Sequence, residues 1–87
     1  MKVTFNEKAF EEYLAWQHED KKTLNRINKL IKDIQRNGFL DGIGKPKPLK
    51  GEKEFSRRID DTNRLVYGAD EKGDLEIYSC KGHYNDK

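Results

Sequence analysis

Eighty-seven residues, 33% hydrophobic and 39% charged, allow one compact two-layer core and exclude a second. No apolar run approaches the roughly 18 residues of a membrane span, and the N-terminus MKVTFNEKAF lacks the apolar stretch of a signal peptide, so a soluble cytoplasmic protein is expected. The single Cys80 excludes an internal disulfide, and one Cys with two distant His residues gives no metal-ligand spacing; no metal or other cofactor is expected.

The net charge of +2 is unevenly spread. Residues 44–64 hold seven Lys/Arg against four Asp/Glu, whereas residues 65–87 hold three against five. A positive excess confined to the middle of the chain points to a local anionic partner, set against the plainer reading of a solvated charged face.

In chain order, Lys2 to Phe5 alternates polar and apolar side chains and reads as a short strand. Asn6 sits where a helix N-cap belongs, with Glu7 at the positive end of the helix dipole. The helix that follows places Phe10, Tyr13, Leu14 and Gln17 on one face with Trp16 at its edge, and this aromatic stripe is expected in the core. Asp20 is the next N-cap candidate. Leu24, Ile27, Leu30, Ile31 and Ile34 then repeat at helical spacing until Asn37-Gly38 ends the helix.

After Gly38 the chain reads FLDGIGKPKPLKGEKE, where neither helix nor central strand persists. A loop of that length within a small domain is usually functional or disordered. Three strands are expected beyond it, at Phe55 to Ile59, Arg64 to Ala69 and Leu75 to Cys80, joined by the turns DDTN and DEKGD. The order β-α-α-β-β-β predicts an α+β fold in which a two-helix hairpin packs on a small, mainly antiparallel sheet. Alternation puts Arg58 on the face opposite Arg57 and Ile59. It also puts Arg64 and Val66 on one face, and Leu65 and Tyr67 on the other.

The segments GIGKPKPLK, SRRI, NRLVY and the terminal HY, preceded by INKLIKDIQRNGF, resemble in order and spacing the YoeB/Txe group of bacterial toxins within the RelE-like superfamily. The resemblance covers residues 1–84 as a single toxin domain and leaves 85–87 as an extension or cloning remnant. It implies a metal-independent, ribosome-dependent mRNA interferase neutralised by a cognate antitoxin. The implied reaction is attack of a ribose 2′-OH on its own 3′-phosphate, which needs a base, cations around the phosphorane and an acid for the leaving 5′ oxygen. Carried over motif by motif, Arg64 stabilises the phosphorane, Arg58 holds the backbone phosphate, and His83 is the general acid. Lys45, Lys50 and Arg57 contact phosphate, and Tyr84 stacks on the RNA or hydrogen-bonds to it. The implied partners are a YefM/Axe-like antitoxin, the 70S ribosome and mRNA, with a toxin homodimer left open.

One position departs from the pattern. The family reads GKPEPLK with the glutamate as general base, and this chain reads GKPKPLK with Lys47 there. An ordinary lysine, with a pKa about 10.4, already carries the proton a base must accept. The swap adds two units of positive charge, which favours phosphate contact while removing the base. Three readings stay open: an active endoribonuclease, a toxin fold that binds ribosome and antitoxin without cutting, and a generic RNA-binding module. The segment GEKEF is also shorter than the stretch before SRR in relatives, which usually carries an aromatic pair.

Overall fold

The computed structural model describes residues 1–49, 51 and 53–82. Its elements are β1 (Val3–Phe5), α1 (Glu7–Glu19), α2 (Lys21–Asn37), β2 (Lys47–Pro48), β3 (Glu54–Arg58), β4 (Arg64–Ala69) and β5 (Leu75–Ser79). The strands form one sheet in the order β1-β5-β4-β3-β2. Among the described residues only the β1–β5 pair is parallel; the other three are antiparallel. The α+β class and the helix hairpin are as expected, and β2 is an addition. It is the edge strand, where a proline costs no ladder bond, and it converts the middle of the expected loop into a part of the sheet.

Local chemistry sets the helix ends. The Asn6 side chain accepts from the Ala9 N–H at 2.8 Å, and the Asp20 carboxylate accepts from the N–H groups of Lys22 and Thr23, so each cap satisfies amides that have no partner within the helix. Gly38 closes α2 with φ of 96°, a value a side-chain-bearing residue adopts only under strain. Between those caps Ile27, Leu30, Ile31 and Ile34 are buried. Full burial of one such side chain contributes about 1.5–3 kcal/mol relative to exposure, so packing rather than helix propensity holds α2.

The aromatic stripe of α1 is corrected. Ala9 and Trp16 are the buried positions of this helix, while Phe10 and Leu14 are exposed. The helix is rotated by the polar anchors on its other side. Trp16 Nε1 donates to the Cys80 carbonyl at 2.9 Å, and the Glu12 carboxylate accepts from the Cys80 N–H at 2.8 Å. Ala9 is buried, and the Cys80 Sγ lies 3.7 Å from its backbone carbonyl. Positions 9, 12, 13 and 16 share a face at helical spacing, and that face wins because it ties the end of β5 as well as filling the core.

The sheet has a covered face and an open one. Phe55, Tyr67 and Ile77 lie in one row across β3, β4 and β5 and join the core beneath the helices. The neighbouring row, Lys47, Ser56, Val66 and Ser79, points the other way because directly paired residues share a face and successive ones alternate. The register slips by one residue at Val66/Tyr67, leaving Tyr78 as the extra residue of β5. Its ring lies over Gly68, where an added Cβ would come within 3.0 Å of it and within 2.7 Å of the Lys53 carbonyl.

A candidate nucleic-acid interface on the open sheet face

Arg58 and Arg64 are directly paired across β3 and β4, which sets their Cβ atoms about 5 Å apart on the open face. Lys47 pairs with Ser56, so it stands diagonally from Arg58 at roughly 7–8 Å. Lys47 and Arg58 are exposed and Arg64 is half-buried. Ser56 and Val66 form a floor between them and are buried, although they face away from the helices. Leu49, only 4% exposed, closes the same face, its N–H donating to the Glu54 carbonyl at 2.7 Å. The result is a small apolar floor rimmed by cations.

Backbone contacts fix each rim residue. The Arg58 N–H donates to the Gly44 carbonyl at 2.7 Å, which brings Lys45 beside β3; Lys45 itself has φ of 53° and is exposed. Gly44 is required there, because a Cβ would lie 2.8 Å from the Leu30 side chain. Arg64 Nη1 donates to the carbonyls of Asp60 and Asn63, which fixes the guanidinium against the turn that precedes β4. The turn before it is held by Asp60, whose carboxylate accepts from the Thr62 and Asn63 N–H groups and the Asn63 amide. Burial works against the Asp60 charge, but these donors outweigh it and keep the pKa below the ordinary value. Gly82 is tied to the same corner, accepting from the Arg64 N–H at 3.0 Å and donating to Asn63 Oδ1 at 2.7 Å.

Arg57 is not part of this surface, and its expected phosphate contact is withdrawn. Its side chain is fully buried on the helix side of the sheet. Nε donates to the Tyr67 hydroxyl, Nη1 to Asp33 Oδ2 at 2.6 Å and to the Ile43 carbonyl, and Nη2 to the carbonyls of Gly38 and Asp41. All five donors are used internally, so none is free for a ligand. Tyr67 passes the network on by donating to the Phe39 carbonyl at 2.6 Å, and its hydroxyl stays protonated because burial raises its pKa. Asp33 also accepts from the Ile43 N–H. Burial opposes its charge, yet the Ile43 N–H and Arg57 hold its pKa below the usual carboxylate value. This buried guanidinium pins the whole 38–43 segment and so aims the cationic arm that begins at Gly44. Strand alternation already put Arg57 inward with Ile59, and the acid that meets it there is Asp33 on the flank of α2; no sequence spacing links the two.

Of the remaining expected site residues, Lys50, His83 and Tyr84 lie outside the described residues. Among the described residues, no group of His, Cys, Asp and Glu could hold a metal ion.

A helix hairpin under a mostly antiparallel five-stranded sheet is the fold of the RelE-like toxins. A family model described as the YoeB-like toxin of bacterial type II toxin–antitoxin systems matches residues 5–84, and the chain belongs to that family. It is 51% identical over 86 residues to the toxin YoeB of Synechocystis sp., covering 97% of this chain and 98% of that relative. Among solved structures, the YoeB dimer from Staphylococcus aureus is similar with a TM-score of 0.89 at 48% identity, covering 97% of this chain and 98% of that one. The YoeB–YefM complex from the same organism gives 0.87 at 46% identity over the same shares.

Proposed function

We propose that this chain is an mRNA interferase toxin of ribosome-dependent type that grips mRNA on the open sheet face and cuts it poorly. The observation that carries the reading is the clustering of Lys47, Arg58 and Arg64 on one face of three adjacent strands. Arginine forks suit phosphate oxygens and remain charged through a reaction.

In the proposed reaction the ribose O2′ attacks its own 3′-phosphorus, the P–O5′ bond breaks, and a 2′,3′-cyclic phosphate and a free 5′-OH result. Arg64 balances charge on the phosphorane. Arg58, Lys45 and Lys50 hold the neighbouring phosphates, His83 returns a proton to O5′, and Tyr84 stacks on a base. That Gly82, the residue before His83, is bonded to the backbone of Arg64 supports placing acid and arginine in one site. The 2′-OH proton needs an acceptor, and the position that would supply it holds Lys47. An exposed ammonium strengthens phosphate contact and offers no lone pair. General-base assistance is worth roughly 10²–10⁴ in rate, so binding survives while cutting slows by about that factor.

The partners in this reading are the ribosome with its mRNA, which places the protein in the cytoplasm, and an antitoxin like the YefM bound to the S. aureus relative. A homodimer like that of the other S. aureus structure fits the exposed Phe10 and Leu14 of α1. Co-sedimentation with mRNA-programmed ribosomes tests the binding half: the chain is expected to co-sediment, with mRNA protection lost on Arg58→Ala or Arg64→Ala and kept on Lys72→Ala. Equal loss in all three would replace this reading with a generic basic module.

A further inference from the structure

The outer surface of α2 is a second cationic surface that the sheet-face site does not use. α2 carries six cations and one carboxylate. That net +5, against +2 for the whole chain, leaves the rest of the molecule at −3. The carboxylate, Asp33, turns inward to Arg57. At about 100° per residue, Lys21, Lys22, Lys29, Lys32 and Arg36 fall within an arc of about 100° opposite the buried Ile27, Leu30, Ile31 and Ile34. All five are exposed, and the ion pairs among the described residues involve none of them. The stripe runs about 22 Å along the helix. At its flank Arg26 Nη2 donates to the Arg58 carbonyl at 3.3 Å, linking the stripe to the strand that carries the site's arginine.

Asp20 lies beside Lys22 at the start of the helix, but Lys29, Lys32 and Arg36 are in no ion pair among the described residues; like charges held so on one rigid helix repel one another, and such a surface is suited to a polyanion. Two features identify which one. The stripe contains no apolar or aromatic side chain; among the described residues the exposed large hydrophobics are Met1, Phe10, Leu14 and Leu40. A peptide that folds on binding needs apolar anchors, and single-stranded RNA needs aromatic platforms for its bases. A convex helix face of five cations and the exposed Asn25 instead matches the phosphate backbone of double-helical RNA, which is recognised by shape and phosphate rather than by base edges.

We propose that the outer face of α2 is a docking surface for the phosphate backbone of folded, double-helical RNA, separate from the groove that takes the single strand. The proposal rests on the reading that this chain's ligand is RNA, but not on its cutting chemistry. The test compares two probes, an RNA hairpin of about two helical turns and a short single-stranded oligonucleotide, each titrated across a salt series. The variant Lys29→Gln/Lys32→Gln/Arg36→Gln is set against a control of equal charge change, Lys2→Gln/Lys8→Gln/Lys72→Gln, with thermal melts confirming that both fold. The α2 variant is expected to lose about tenfold or more in hairpin affinity. Its log–log salt slope should become shallower by about 2.7, at roughly 0.9 per phosphate contact, with oligonucleotide binding unchanged. An unchanged hairpin affinity, or an equal loss in the control, overturns the proposal. Arg58→Ala separates the two readings: oligonucleotide binding that survives it contradicts the sheet-face site and leaves the hairpin result to decide α2.

Discussion

Replacing Arg57 with methionine keeps most of the stem's volume and removes every donor. The carbonyls of Gly38, Asp41 and Ile43 and the Tyr67 hydroxyl each lose a partner, and the Asp33 carboxylate loses its countercharge. Breaking a buried ion pair from one side typically costs about 3–5 kcal/mol, a large part of the 5–15 kcal/mol that holds a domain folded. At about 4–8 °C per kcal/mol for a domain this size, the melting temperature should fall by roughly 12–40 °C. Its neighbour supplies the internal control, because Arg58 points to solvent and Arg58→Met should change stability by no more than about 0.5 kcal/mol. Urea unfolding of both variants, read by tryptophan fluorescence, gives the two midpoints. A loss under about 1 kcal/mol for Arg57→Met, or equal losses for the pair, would refute the division of labour between these adjacent arginines.

Three further outcomes follow from local geometry. Gly68→Ala should destabilise by about 1–3 kcal/mol even in a Tyr78→Ala background, since the Lys53 carbonyl 2.7 Å from the added Cβ remains; a silent substitution by urea titration would count against the close approach. Burial first, and Glu12 second, push the Cys80 thiol up to about 12, so iodoacetamide should label it only at the rate of unfolding, and rapid labelling of the native chain would contradict its placement. Asp20, Asp33 and Asp60 all have folded pKa values below the ordinary 3.8. Their stabilisation is therefore full above that value and is lost as pH falls through the lowered ones. The urea midpoint should drop below about pH 4, and less steeply in Asp33→Asn; identical slopes in both proteins would remove Asp33 from that account.

The parts of the fold legible in the sequence were those set by short-range chemistry. Asn6, Asp20 and Gly38 mark helix ends whatever surrounds them, and the Ile27–Ile34 repeat leaves one way for α2 to face. α1 was harder, because Phe10 and Leu14 look like core and lose to Ala9 and Trp16, whose contacts with Cys80 depend on a residue more than sixty positions away. β2 was hidden for a similar reason: a two-residue edge strand through Pro48 has no periodicity, and only pairing with Phe55 and Ser56 creates it. At the site, alternation alone oriented Arg58 and Arg64 correctly. It oriented Arg57 inward as well, and only the tertiary contact with Asp33 shows how a buried guanidinium is satisfied there.

The central claim is that position 47 separates grip from cutting. Ribosome-programmed mRNA cleavage by this chain and by Lys47→Glu, at matched ribosome occupancy and read as the rate of 5′-OH product formation, addresses it most directly. The account predicts weak cutting by the parent and a gain of about 10²–10⁴-fold in Lys47→Glu, with the gain abolished by Arg64→Ala. Equal, rapid cleavage by parent and variant would contradict it.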